Sequence, residues 1–134
     1  EISCSLVGSE MCIRDSPRST CDSFRKFCAD REFMCEVRED VEGMKVREGE
    51  VYIAIRQVDV VHIIKQSRIE GLVCGTDFGL LAYNETPAYE VIDRGITTLS
   101  IDWEKMGTLT ADFILTGKQI HTYLPTEIRL RGSL

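Results

Sequence analysis

The chain has 134 residues, 43% hydrophobic and 28% charged, with 22 acidic against 16 basic side chains and a formal net charge of −6. That is enough apolar material for a single globular core, and no apolar run is long enough to cross a membrane as a helix. A pI near 4.9 argues against this segment holding nucleic acid itself, because phosphate binding needs clustered Lys and Arg.

The first 19 residues carry no clear period. SLVGSEMCIRDS at 5–16 runs into Pro17-Arg18-Ser19-Thr20, a loop-like composition, and its interrupted apolar residues do not make a signal-peptide core. The string is similar to translated sequencing adapter of the kind found at broken ends of unrelated reading frames. Residues 1–19 are therefore expected to be a non-native or disordered leader, and Cys4 and Cys12 are set aside with them.

Phe24, Phe27 and Cys28 fall at helical spacing over 21–31, and 33–37 alternates like a strand. The charged stretch 36–50, broken by Gly43 and Gly49, is expected to be a surface connection or a short helix over 41–46. Val51 to Ile55 is a β-branched, apolar run of the kind buried in parallel sheets. A helix over 59–71 follows, with Val60, Ile63, Ile64 and Ser67 on one face and Gly71 as its stop. The next strand, 78–83, ends at Asn84-Glu85-Thr86-Pro87, a polar turn, so strand, crossover helix and strand imply parallel neighbours. A short helix over 88–93 leads to a second β-branched strand at 97–101. Asp102 is placed to cap a helix that includes Trp103 and Met106 and stops at Gly117; 127–130 alternates as a closing strand.

Six cysteines invite a zinc or disulfide reading, but Cys21, Cys28 and Cys35 are seven apart and lack the close pairs of structural zinc sites. They read instead as small apolar residues, reduced in a cytoplasm. His62 and His121 lack neighbours at ligand spacing. No nucleophile elbow, phosphate loop or zinc-binding His motif is present, so no cofactor and no catalysis are expected.

The segments VYIAIRQVDVVHIIKQSRIEGL, DFGLLAYNETPAYEVI, GITTLSIDWEKMG and LPTEIRLRGSL occur in that order and spacing. Together they resemble the C-terminal half of the effector-sensing domain of lac-repressor-like transcription regulators, nearest to the subgroup that carries a GntR-type winged helix. The resemblance covers about residues 20–134 and implies an α/β, parallel-sheet lobe of a type I periplasmic-binding-protein-like fold. It also implies truncation, since the whole domain is about twice this length. By that resemblance 20–134 is a partial effector-binding domain, and the strand at 97–101 and its helix are expected in the other lobe.

The resemblance further points to ligand-facing positions. Arg56 and Gln57 stand where the family commonly has an Asn-Asp pair, and a guanidinium fork suits a carboxylate or phosphate, so an acidic or phosphorylated sugar is one expected effector. Asn84 and Glu85 match a position of paired aspartates; as an amide, Asn84 can both donate to and accept from a hydroxyl. Asp102 matches an acidic position, although capping explains it almost as well, and Ile101 replaces a residue that is usually polar. The implied function is a ligand sensor of a bacterial regulator: a cytoplasmic homodimer when intact, not membrane-bound, reaching DNA only through a module absent from this chain. The alternative is an extracytoplasmic sugar-binding receptor of a transporter. A flavodoxin-like domain ranks last, because Arg56-Gln57-Val58-Asp59 lacks a phosphate-cradling glycine. A lobe without its partner is also expected to expose apolar surface and to associate.

Overall fold

The computed structural model describes residues 3–7, 18–38, 41 and 43–134. Its core is a six-stranded sheet in the order β2-β1-β3-β4-β5-β6, formed by β1 (Ser3–Val7), β2 (Met34–Arg38), β3 (Glu50–Ala54), β4 (Gly79–Tyr83), β5 (Thr97–Ile101) and β6 (Thr126–Arg129). The first five run parallel and β6 pairs antiparallel with β5. Among the described residues three α-helices join them, α1 (Arg18–Asp30), α2 (Gln57–Glu70) and α3 (Trp103–Thr116), and the short helix expected over 88–93 is a 3-10 turn at Pro87–Glu90. A parallel pair needs a long crossover, and α2 supplies it between β3 and β4.

α2 forms because its apolar residues recur at helical spacing, and it ends where Gly71 adopts a left-handed φ of 75° and returns its N–H to the last turn. Its buried stripe, Val60, Ile63 and Ile64, packs with Tyr52 and Ala54 of β3 and Leu80 and Ala82 of β4 into one core. Tyr52 and Phe78 meet edge to face at 5.8 Å between ring centroids.

Several expectations need correction. Residues 43–47 form no helix; Val41, Met44 and Val46 are nevertheless buried and close one side of the core. The strand at 97–101 sits in the same sheet as β3 and β4, not in another lobe, because its residues register with Leu81 to Tyr83. Cys35, expected as a small apolar filler, is exposed on the edge strand β2. Ser3–Val7 pairs in parallel with both β2 and β3 as β1, which leaves the origin of 1–19 untouched. The rest of the adapter-like string, 8–16, lies outside the described residues.

The C-terminal tail is built into the sheet. Leu80 N–H donates to the Ser133 carbonyl at 2.8 Å, while Ser133 Oγ accepts from Thr97 N–H at 2.7 Å and donates to the Leu80 carbonyl at 2.5 Å. The tail passes so close to Gly75 that a Cβ there would lie 1.8 Å from the Gly132 carbonyl oxygen, and Gly75 also has a φ of +78°.

α3 differs from α2, which buries a whole stripe. None of its residues is buried, and Phe113, Ile114 and Leu115 are 46%, 74% and 81% exposed. A groove of about 390 Å³ between α3 and 119–124 is lined mainly by apolar side chains, among them Leu109, Phe113 and Leu124. Contiguous apolar surface of this kind marks association sites. The isolated chain is expected to self-associate in a concentration-dependent manner; a single monomeric species by sedimentation velocity across a wide concentration range would contradict this. No helix among the described residues is long and apolar enough to cross a membrane.

Candidate functional site

β3, β4 and β5 are adjacent and parallel, so the turns that leave them lie side by side at one edge of the sheet. Arg56 and Gln57 follow β3, Asn84 and Glu85 follow β4, and Asp102 follows β5. Neighbouring strands are about 4.8 Å apart, which brings the three turns within reach of one small molecule. The fold thus gathers all five expected residues at the edge where open α/β sheets bind ligands.

Their side chains are differently committed. Arg56 caps α2 with extended backbone, and its guanidinium donates from Nε to Asp59 Oδ2 at 2.7 Å and from Nη2 to Asp59 Oδ1 at 2.6 Å. Asp59 is 1% exposed, so this bidentate pair is partly buried. Gln57, the first residue of α2, is exposed.

Asn84 has a left-handed φ of +67°, a conformation its short amide tolerates better than most side chains do. Its backbone N–H continues the ladder by donating to the Leu99 carbonyl at 2.9 Å. The Asn84 side-chain amide makes no hydrogen bond among the described residues and is half-buried.

Glu85 is held on both oxygens. Arg131 donates from Nη1 to Oε2 at 3.0 Å and from Nη2 to Oε1 at 3.1 Å, and the Thr98 hydroxyl donates to Oε2. Burial alone would raise the Glu85 pKa; the Arg131 guanidinium and the Thr98 hydroxyl outweigh it, and the net shift is downward. Tyr89 is fully buried; burial first, then the charges of Glu85 and Asp59, push its phenol up to about 12.

Asp102 accepts from Lys105 N–H at 2.9 Å and is the N-cap of α3. Trp103 is half exposed at the start of that helix. His62 and His121 are exposed and far apart in sequence, on α2 and after α3. Among the described residues no three His, Cys, Asp or Glu side chains converge as metal ligands.

Arg131 and Asp59 are the residues that sequence reasoning missed. Arg131 is 46 positions from Glu85, so no local spacing links them; its only trace is its place in the segment LPTEIRLRGSL. Asp59 was legible as an acid in the first turn of α2, three residues after Arg56.

No protein-family model matches the chain, and no curated protein matches it in sequence. Solved structures do match. The lac repressor dimer bound to operator and the anti-inducer ONPF aligns over 98% of this chain and 45% of its own, at 14% identity and a TM-score of 0.72. A LacI regulator from Lactobacillus casei with bound Tris covers 98% of this chain and 54% of its own, at 13% identity and a TM-score of 0.74. A dimeric lac repressor with a C-terminal deletion covers 98% and 54%, at 14% identity and a TM-score of 0.75. The chain spans about half the length of these structures. At such identities the likeness concerns the fold: a mostly parallel α/β sheet of the type found in LacI-family effector-binding domains, which are type I periplasmic-binding-protein-like.

Proposed function

We propose that this chain is the effector-sensing lobe of a bacterial transcription regulator and that it binds a small sugar-like molecule at the carboxyl edge of β3, β4 and β5. The observation that carries this reading is the alignment of three polar turns on adjacent parallel strands, in a chain that follows the lac repressor fold over nearly its whole length. The neighbours described above are lac repressors and a LacI regulator, which supports a sensor over an enzyme and over a transport receptor. The reading includes a GntR-type DNA-binding head outside this chain, a homodimer and a cytoplasmic setting.

In such a sensor the effector acts by binding one arrangement of the protein more tightly than another, since equal affinity for both would shift nothing. Asn84 is the leading contact, because its amide can donate to and accept from adjacent hydroxyls. The pairing of Arg56 with Asp59 supports a neutral, hydroxylated effector over an acidic one: two donors and the charge of the guanidinium already have a partner.

The test is calorimetric titration of the intact protein with a panel of neutral, acidic and phosphorylated sugars. Asn84→Gly removes the amide while keeping the positive φ, and is expected to weaken binding of the preferred sugar at least about tenfold, the equivalent of one good hydrogen bond to a polar ligand. The double variant Arg56→Ala/Asp59→Ala is expected to leave the neutral-over-acidic preference intact. Unchanged affinity in Asn84→Gly would remove that turn from the site.

A further inference from the structure

The turn after β4 has one fully engaged polar side chain between two that are not. Glu85 accepts from Arg131 on both oxygens and from the Thr98 hydroxyl. The Asn84 amide makes no hydrogen bond among the described residues, and the Thr86 hydroxyl oxygen is buried without a partner among them. A buried hydroxyl left unbonded is uncommon, and a ligand seated at the turn would give it a partner. The engaged residue is held by a side chain from the far end of the chain.

Arg131 reaches Glu85 along a path that the surrounding backbone fixes. Its N–H donates to the Thr97 hydroxyl at 3.0 Å, and its carbonyl accepts from that hydroxyl at 3.2 Å. Next along the tail, Gly132 N–H donates to the Arg94 carbonyl at 3.2 Å, and Ser133 is bonded to Leu80 and Thr97. The stem of Arg131 lies against Gly95, where a Cβ would stand 2.8 Å from its Cδ, closer than real Cβ atoms come. Nη1 donates to the Ile96 carbonyl at 2.8 Å as well as to Glu85. The guanidinium fork is thus aimed before it meets the carboxylate, and a bidentate pair adds geometric specificity to energy.

We infer that Arg131 is a positioning residue for the effector site: by clamping Glu85 it holds the turn at 84–86, so that the Asn84 amide and the Thr86 hydroxyl are presented to the same ligand. This rests on the reading of that turn as the sugar contact. The clamp matters because Asn84 sits at a φ of +67°, a conformation that persists where neighbours over-determine it. One such restraint is the Asn84 N–H bond to the Leu99 carbonyl, and the other is the Glu85 clamp. With Arg131 removed, Glu85 keeps only the Thr98 hydroxyl, and a ligand must bind a turn that has first to be ordered.

The experiment is hydrogen exchange of the full chain followed by NMR at three places. They are the Asn84 N–H, bonded to Leu99; the Leu80 N–H, bonded to the tail at Ser133; and the N–H groups of Val60, Ile63 and Ile64 in the core. Arg131→Ala is expected to accelerate Asn84 at least about tenfold more than the other two, the effect of losing a charge-assisted pair at that turn. Arg131→Lys is expected to return part of the protection through a single contact. Glu85→Gln, which keeps the size of the side chain and removes its charge, is expected to accelerate Asn84 in the same selective way, and it decides the matter should Arg131→Ala unfold. Acceleration of all three places by one factor, or an unchanged Asn84, overturns the inference. Titration of the intact protein with the panel of neutral sugars adds a binding readout. Arg131→Ala is expected to weaken the preferred sugar roughly fivefold, and clearly less in an Asn84→Gly background, because Arg131 acts largely through Asn84. Equal losses in both backgrounds overturn the inference. If no sugar of the panel binds the wild type, the sugar reading of the turn fails, while the exchange pattern still decides the clamp.

Discussion

Replacing Arg131 with alanine is expected to lower stability by about 3 kcal/mol at neutral pH, the low end of the range for removing one partner of a buried ion pair. The low end applies because the Arg131 and Glu85 side chains keep 16% and 14% of their exposure. The substitution leaves the backbone of residue 131 able to exchange its two hydrogen bonds with the Thr97 hydroxyl, so the tail keeps that anchor. What it removes is the cation that neutralises Glu85.

A pH signature separates this loss from a general loosening of the tail. In the native chain the Glu85 pKa lies below its ordinary value of 4.5. The folded state therefore binds that proton less readily than the unfolded state. The stabilisation is complete above the unfolded pKa and disappears as pH falls through the lower, folded one. In Arg131→Ala burial is opposed only by the Thr98 hydroxyl and the charge of Arg129, so the folded pKa rises and the ionised carboxylate loses most of its stabilisation at neutral pH. The gap between variant and wild type is expected to narrow toward about pH 4. Urea denaturation at pH 7 and near pH 4 measures it; an identical gap at both would show that Glu85 ionisation plays no part.

Arg56→Ala is expected to be more damaging than Asp59→Ala, although each breaks the same pair. Removing Arg56 strands a carboxylate that is 1% exposed, at a cost of about 3–5 kcal/mol, whereas removing Asp59 leaves a guanidinium already 24% exposed that can turn toward water, at about 2 kcal/mol. The double variant is expected to be more stable than Arg56→Ala alone, because no charge is left buried without a partner. A double-mutant cycle in urea reads all three values. Equal single costs that add without coupling would mean that the Arg56–Asp59 contact contributes nothing in solution.

Much of the scaffold was legible because its determinants are local. β3 and β5 are β-branched runs, Asp102 precedes its helix with a capping carboxylate, and Gly71 and Gly117 stop α2 and α3 with left-handed turns. Periodicity is carried by neighbours in sequence, so strand, helix and strand could be placed one by one, and the parallel pairing of β3 and β4 followed from the crossover between them. The same logic failed at 43–47, where apolar residues at near-helical spacing serve the core from an irregular segment, since tertiary burial needs the side chains and not the helix.

The candidate site divides along the same line. The resemblance to lac-repressor-like sensing domains, carried by segments in order, nominated Arg56, Gln57, Asn84, Glu85 and Asp102. Only the folded chain decided what their side chains do: Glu85 is bound by an arginine 46 residues away, Arg56 is paired into a buried carboxylate, Asp102 caps a helix, and Asn84 keeps its amide unbonded among the described residues. The sequence records which groups exist and where a turn begins. It does not record which distant charge the fold brings within 3 Å, because long-range pairing is settled by packing the whole sheet, and a charge that has found its partner is no longer available to a ligand.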